Sequence, residues 1–450
     1  MNFVESIKNK SYSRNEILFI LISLVISIFG MIVYVALTNT YNKILIYTIV
    51  LFISLILLYK PEICLVFFVS AAMFKSMPIL SKIANIDTTI FLLLLSVASL
   101  NIYAFLFKRG YKIVLDLSLL FLILFAVWLL IGNFYSLTPE YGNEKSFRFL
   151  VFNIFVFIAP TFFINDLMRI RNIILAFIIL GLFSSIISLY TNINVLEEEY
   201  TRLSTYGANP IAFSIGIGIA LILILSSFSY LKNNIIKTIL LLSSPALLIS
   251  MILSNSRGPL SAFIIASLIY FLIISKSSMI RKLLIIIFLV VLIGSFFVIL
   301  PEQSTYRYMS IVEENPKNIV SFASRIELLQ TAFKTFTLHP IIGVGTGGFA
   351  GVVGLPKQYP HNIVLEILSE NGIIGLLFFL GFFILSILYA IKILKHNKIE
   401  LGGELMIPVF LVSIMLIIEA QFSGDLNDNR ILFFFLGIIL TIYKNVKNAI

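Results

Sequence analysis

The sequence predicts an all-α polytopic membrane protein with about 12 to 14 transmembrane helices and one large extracytoplasmic loop that itself contains helices. Of its 450 residues, 60% are hydrophobic and only 12% are charged, whereas soluble domains are about 45 to 50% apolar. One long polar interruption, residues 301–371, separates the apolar segments. We therefore expect the chemistry of the protein to involve this loop and the charged residues that can reach it.

Apolar segments long enough to cross a bilayer, about 17 to 25 residues, recur along the chain. They cover residues 17–37, 44–59, 62–80, 86–107, 113–135, 147–164, 173–190, 210–231, 235–253, 258–274, 283–300, 372–391, 406–423 and 430–446. The second and third are short or interrupted by Lys75 and Pro78, so the predicted number of spans is a range. We expect a bundle of about eleven spans over residues 1–300, the loop 301–371, and C-terminal spans over 372–450.

Basic residues predict the orientation of the chain. Lys8, Lys10 and Arg14 precede the first apolar segment, which is longer than the core of a secretory signal peptide, so we expect it to remain as a span. Most basic residues of the short loops lie on the same side as the N-terminus. The positive-inside rule then predicts two cytoplasmic termini, with the 301–371 loop facing outward.

Charge and cysteine content exclude other classes. The formal net charge is +10, but the basic residues are scattered between apolar segments, which favours membrane topology and a lipid bilayer partner over nucleic acid. The single cysteine, Cys64, excludes both a disulfide framework and a thiolate metal site.

Arg257 is the first candidate for a functional residue. It lies in the short turn SNSRGP, residues 254–259, between two apolar segments. An arginine at a membrane boundary is costly unless it is paired or faces water, so it suggests a functional site. An arginine that extends toward lipid headgroups is the alternative interpretation.

Arg325 is the second candidate. Ser324 and Glu327 have the spacing of a capping box, which predicts a helix from Arg325 to about Thr337. Arg325 would then occupy the first turn, where the helix dipole disfavours a cation. Such a position suggests an external anion, although a solvated arginine is the more common explanation.

Glycines at 343, 345 and 348 match the spacing of a nucleotide-binding G-x-G-x-x-G motif. That motif requires a preceding strand and a following helix in a βαβ unit, which a predicted extracytoplasmic loop does not offer. We expect these glycines to allow sharp turns or the close approach of a bulky ligand.

His361 is the third candidate. Pro360 suits the first position of a helix, which would place His361 in the first turn, where the dipole keeps the imidazole neutral and able to accept a proton. Glu370 would lie on the opposite face of that helix, so a His361–Glu370 pair is not expected. A single histidine is more often structural than catalytic.

The final predicted turn, DLNDNR at residues 425–430, offers Asp425, Asp428 and Arg430. Two aspartates with this spacing could bind a divalent cation. No further ligand is indicated, and a helix cap at Asp428 or Asn429 explains the pattern better.

Three ordered elements resemble the O-antigen ligase and Wzy-type O-antigen polymerase superfamily of membrane glycosyltransferases. They are Ser256-Arg257-Gly258, the Arg325-x-Glu327 helix leading to PIIGVG at 340–345, and His361-Asn362 followed by nine residues and Gly372-x-x-Gly375. The last matches the H-[NSQ]-x9-G-x-x-G signature of ligases and protein O-oligosaccharyltransferases. The resemblance is close in the C-terminal half and rests on topology alone in the N-terminal half.

The resemblance implies transfer of a glycan from a polyprenyl (undecaprenyl) diphosphate donor to an acceptor hydroxyl at the outer face of the inner membrane. It implies that His361 is the catalytic base and that Arg257 and Arg325 bind the diphosphate. We expect Arg430 to be a third diphosphate ligand. Arg148 and Arg202 are weaker candidates. The family resembles metal-independent inverting enzymes, so neither a metal ion nor another cofactor is expected.

The acceptor remains open between glycan, lipid A-core and protein. We favour a surface polysaccharide polymerase, for which a chain-length regulator would be a further partner, with an O-antigen ligase or a protein O-oligosaccharyltransferase as alternatives. A lipid-linked oligosaccharide transporter is the alternative from a different class. The gathering of the candidate residues on one predicted face, without two related halves, favours the enzyme over the transporter.

Overall fold

A computed structural model describes residues 51–74, 87–106, 116–192, 202–205, 208–227, 233–274, 316–395 and 400–448. These segments are mostly helical and contain no strand, which confirms the predicted all-α polytopic class. The helices are α1 (Leu51–Tyr59), α2 (Pro61–Val69), α3 (Thr88–Leu106), α4 (Leu117–Gly132), α5 (Pro139–Phe163), α6 (Leu167–Asn192), α7 (Pro210–Ser227), α8 (Asn234–Leu253), α9 (Arg257–Ile269), α10 (Pro316–Leu338), α11 (Phe349–Val353), α12 (Ile363–Lys395), α13 (Glu400–Glu419) and α14 (Arg430–Asn448).

Eight helices of the described segments are long and apolar enough to cross a membrane, or up to nine if the bent pair α1 and α2 forms one span. The axes of that pair meet at 117°. The predicted spans 17–37 and 283–300 lie outside the described residues, as do parts of others. The total of about 12 to 14 spans therefore stays a prediction.

Four helices, α5, α6, α12 and α13, begin six or more residues before the predicted apolar segments, and α5 and α12 begin earliest. Helix α5 starts at Pro139, where the sequence predicted a span only from residue 147, and a π-helical turn at Phe149–Asn153 interrupts it. Helix α12 starts at Ile363, before the predicted span 372–391. The first section of α5, residues 139–148, is polar, and in α12 the polar residues Glu366, Ser369, Glu370 and Asn371 interrupt the apolar pattern before residue 372. Hydropathy alone therefore locates the membrane segment and misses the helix start.

The core of the described bundle lies along α7 and α14, whose side chains are largely buried. Phenylalanines from four helices meet in its centre. The ring of Phe433 on α14 lies 5.5 Å from Phe149 and 5.6 Å from Phe382, and Phe125 lies 5.4 Å from Phe149. Edge-to-face and stacked rings of this kind stabilise a helix interface beyond the area that they bury. Helices α3 and α4 instead expose one apolar face, as lipid-contacting helices do.

At one end of the bundle Asp116 joins three helices. Its carboxylate caps α4 by accepting from Ser118 N at 3.0 Å, accepts from Tyr389 Oη on α12 at 2.6 Å, and pairs with Lys444 Nζ on α14 at 2.5 Å. These contacts hold the N-terminal end of α4 against the C-terminal ends of α12 and α14. The candidate functional residues lie at the opposite ends of α12 and α14.

Helix α12 is broken at Gly372, whose φ of 63° and ψ of −164° are not helical. Residues 373–395 extend over about 35 Å at 1.5 Å per residue, which is enough for the bilayer core. The section 363–371 is therefore a short separate helix at the end of the span. We call residues 363–371 the site helix.

Candidate functional site

His361 lies immediately before the site helix. The helix begins at Ile363, so the predicted placement of Pro360 at its first position is wrong. Asn362 precedes the helix and its Oδ1 accepts from Leu365 N at 2.9 Å, because an asparagine side chain satisfies an otherwise unpaired amide group of the first turn. His361 itself adopts a left-handed backbone, with φ of 59°, and its ring lies 4.4 Å from the ring of Tyr359.

The imidazole of His361 is neutral near pH 7. Burial, and then the positive charge of Arg325, lower its pKa from 6.5 to about 4, while the charge of Asp425 acts in the opposite direction. Neutrality was expected from the helix dipole, but burial is the main cause. A neutral ring can accept a proton from a substrate hydroxyl.

Arg325 lies on α10, close enough for its charge to act on His361 and Tyr359. Helix α10 begins at Pro316, so the helix start predicted at Arg325 is wrong and Arg325 is not in the first turn. A serine and a glutamate three residues apart also occur inside helices, whereas a proline favours the first position. The exposed side chain of Arg325 remains accessible to an anion.

Arg257 is the first residue of α9, and Arg202 holds the preceding turn. Arg202 donates to Ser254 O at 3.2 Å, to Asn255 O at 3.3 Å and to Ser256 Oγ at 2.8 Å. Asn255 in that turn has a φ of 52°. Arg202, a weaker candidate for diphosphate binding, thus stabilises the turn that presents Arg257.

Residues 420–429 between α13 and α14, which we call the docking turn, join the parts of the site. Ile363 N donates to Ala420 O at 3.0 Å, and Asn362 Nδ2 donates to Gln421 O at 3.3 Å. On the other side, a Cβ atom added to Gly258 would lie 3.1 Å from Phe422 Cβ. The neighbours of His361 and of Arg257 therefore contact the same short turn, although the two residues are far apart in sequence.

Asp425 stabilises the docking turn from within. Its Oδ1 accepts from Asn427 N at 2.9 Å and from Asp428 N at 2.8 Å, and Asn429 Nδ2 donates to Asp425 O at 2.8 Å. Among the described residues no group of three or more His, Cys, Asp or Glu side chains is placed to share a metal ion. The side chain of Asp425 thus stabilises the turn itself, and the helix cap by Asp428 or Asn429 stays a prediction.

Arg430 begins α14 beside a second arginine. Its guanidinium lies 5.4 Å above the ring of Phe152, and the charges of Asp428, Arg148 and Asp425 act on it. Asp425 also acts on His361, which places both residues around the docking turn. Arg148 pairs weakly with Glu144 at 3.7 Å. The two arginines thus lie close to each other and to the aspartates of the docking turn.

The glycines at 343, 345 and 372 allow two segments of the backbone to approach each other closely. Residues 340–348, the glycine loop, lie against the break in α12: Gly345 N donates to Glu370 O at 2.9 Å, and Ile373 N donates to Pro340 O at 2.9 Å. A Cβ atom on Gly343 would lie 2.4 Å from Glu370 C, and one on Gly372 would lie 2.3 Å from Ile341 O. The predicted sharp turns are present, and the close approach is to backbone.

Sequence reasoning missed Lys145 on α5. Its Nζ lies 2.5 Å from Glu366 Oε1 and 2.6 Å from Glu370 Oε2, both on the site helix. A buried lysine must find a negative partner, and Glu366 and Glu370 are one helical turn apart. The sequence shows only the spacing of Glu366 and Glu370; it does not show which cation faces them.

Residues 239–380 match the family model Wzy_C, described as O-antigen ligase. The matched range includes Arg257, Arg325, His361 and Gly372, and it leaves out Arg430. No curated protein matches the chain.

Proposed function

We propose that this chain transfers a glycan from a polyprenyl diphosphate donor to an acceptor hydroxyl. The match of residues 239–380 to the O-antigen ligase family model supports this proposal. One observation carries this proposal: His361 is neutral and lies within reach of the charge of Arg325. The docking turn contacts the neighbours of both His361 and Arg257. The chain is a membrane glycosyltransferase of the ligase or polymerase type.

His361 acts as the general base of the transfer. Its neutral imidazole takes the proton of the acceptor hydroxyl as the hydroxyl oxygen attacks the anomeric carbon of the donor sugar. The bond between that carbon and the diphosphate oxygen breaks, and the lipid diphosphate leaves with the bonding electrons. A single displacement of this kind inverts the anomeric configuration.

Arg257 and Arg325 stabilise the diphosphate, with Arg430 as a third ligand. A guanidinium group binds phosphate oxygens in a bidentate manner and neutralises the charge that develops on the leaving group. These cations supply charge that a divalent ion provides in other transferases, so the proposed reaction is metal-independent.

Donor binding should also change the pKa of His361. The positive charge of Arg325 lowers the pKa of the free imidazole, so a diphosphate bound to Arg325 offsets that effect and raises the pKa. The ring becomes a stronger base when the donor is in place. Proton transfer is thereby linked to donor occupancy.

Surface polysaccharide polymerisation is the role that we favour, with ligation to lipid A-core or to protein as the alternative. We propose that the reaction takes place on the outer face of the inner membrane, with both termini in the cytoplasm. The abundance of basic residues in the short loops on the N-terminal side supports this orientation.

The test uses the purified protein in proteoliposomes that contain a polyprenyl diphosphate glycan. We expect a new glycosidic bond and release of polyprenyl diphosphate, and we expect Arg257→Ala to slow this reaction. Chain extension with the donor alone indicates a polymerase, whereas a strict requirement for lipid A-core indicates a ligase. Movement of glycan across the bilayer without a new bond would overturn the proposal in favour of transport.

A further inference from the structure

We propose that Lys145 is a positioning residue, whose ammonium group between Glu366 and Glu370 holds the site helix, and with it His361, in the geometry that the transfer requires. The catalytic part of this inference rests on the proposed function. Its structural part, that Lys145 fixes the site helix, can be measured without any glycan.

Lys145 contacts the site helix at two points on one face, Glu366 and Glu370. Lys145 Nζ lies 2.5 Å from Glu366 Oε1 and 2.6 Å from Glu370 Oε2, and each of the three side chains is only 1% exposed. Residues four positions apart lie one above the other on a helix. One lysine of α5 therefore fixes both the position and the rotation of the site helix.

Each carboxylate also binds a second segment of the chain. Leu426 N of the docking turn donates to Glu366 at 3.1 and 3.2 Å, and Gly347 N of the glycine loop donates to Glu370 Oε2 at 2.9 Å. Asn427 Nδ2 donates to Lys145 O at 3.1 Å. The cluster thus joins α5, the site helix, the glycine loop and the docking turn at one point.

The cluster is a costly way to stabilise a fold. One buried ammonium group faces two carboxylates, and Glu370 Oε1 has no hydrogen-bond partner in the described part of the chain. Apolar residues of similar volume are often neutral or stabilising replacements for such buried ions. Charged hydrogen bonds are short and directional, so they fix orientation where apolar packing would only fill volume. An orientation requirement next to His361 explains this arrangement.

Trp128 offers a direct readout of the site helix. It is the single tryptophan of the chain, and its Nε1 donates to Asn371 O, the last residue of the site helix, at 3.0 Å. Its fluorescence emission and its quenching by acrylamide report whether that helix is in place. This measurement requires no donor and no acceptor.

The experiment compares Lys145→Met with Lys357→Met in the full chain. Lys357 pairs with Glu144 at 2.7 Å on the surface, with side chains 63% and 41% exposed, so its substitution removes an ion pair of similar length without burying a charge. We expect Lys145→Met to alter Trp128 quenching and to lower kcat by about 100-fold, as a misplacement of about 1 Å does. The KM for the donor should change little, and Lys357→Met should match the wild type in every measurement.

A second variant addresses loss of folding. Removing only the lysine leaves the buried Glu366 and Glu370 without their cation. Lys145→Met combined with Glu366→Gln and Glu370→Gln removes all three charges of the cluster and keeps side-chain oxygens that can accept from Leu426 N and Gly347 N. We expect this triple variant to fold, with altered Trp128 quenching and reduced kcat. Wild-type quenching together with wild-type kcat in the triple variant would overturn the inference. A wild-type protein that forms no glycosidic bond would instead overturn the proposed function, while Trp128 still decides whether Lys145 holds the helix.

Discussion

Gly372→Ala should destabilise the protein by roughly 3 kcal/mol or more. The backbone at Gly372, with φ of 63° and ψ of −164°, lies in a region almost restricted to glycine, which costs another residue about 1 to 3 kcal/mol. An added Cβ atom would also lie 2.3 Å from Ile341 O, so the glycine loop must move. That movement weakens the hydrogen bond from Ile373 N to Pro340 O, worth about 1 kcal/mol.

Gly354→Ala is the matched control. Gly354 also has a positive φ, of 73°, but a Cβ atom there would meet nothing within 4 Å. Its substitution should cost only about 1 kcal/mol, the conformational penalty alone. The assay measures the free energy of unfolding of both variants in detergent micelles, with the emission of Trp128 as the signal. Equal destabilisation by the two substitutions would refute the close contact between the glycine loop and the break in α12.

Three further substitutions test the surroundings of the site. Arg325→Gln removes a positive charge that lowers the pKa of His361, so this pKa should rise. Because protonation of the ring abolishes its action as a base, kcat/KM should begin to fall at a higher pH than in the wild type as the solution is acidified. An unchanged acid limb of the pH profile would contradict this. Asn362→Ala removes a helix cap and should lower the free energy of unfolding by about 1 kcal/mol, measured by thermal denaturation. Arg202→Met loosens the turn before Arg257 and should raise the donor KM by about tenfold, or roughly 1.4 kcal/mol, in steady-state kinetics.

Hydropathy predicted the membrane helices well, because the length of an apolar segment follows directly from bilayer thickness. Helix starts were harder to predict. The capping-box pattern at Ser324 and Glu327 suggested a start that lies nine residues too late, since the helix begins at Pro316. Pro360 also suggested a helix start, but Asn362 provides the cap through its own side chain. Local patterns of this kind compete, and the hydrogen bonds that decide between them are not visible in the sequence.

The neighbourhood of His361 was predictable only in part. Arg325 and His361 lie in the one long polar interruption of an apolar chain, and the charge of Arg325 acts on His361. Lys145 could not be connected to Glu370 from spacing, because 225 residues separate them. The glycine spacing suggested contact with a ligand, whereas the backbone of the site helix occupies that position. Contacts between distant segments depend on how the helices pack, which composition and periodicity do not specify.

The most direct measurement of the central claim compares His361→Ala with His339→Ala in reconstituted proteoliposomes. His339 is exposed at the end of α10 and supplies a matched histidine outside the proposed catalytic group. Loss of the general base should lower the initial rate of glycosidic bond formation by about 10² to 10⁴-fold, while His339→Ala retains the wild-type rate. A folded His361→Ala protein that forms the bond at the wild-type rate would contradict the assignment of His361 as the catalytic base.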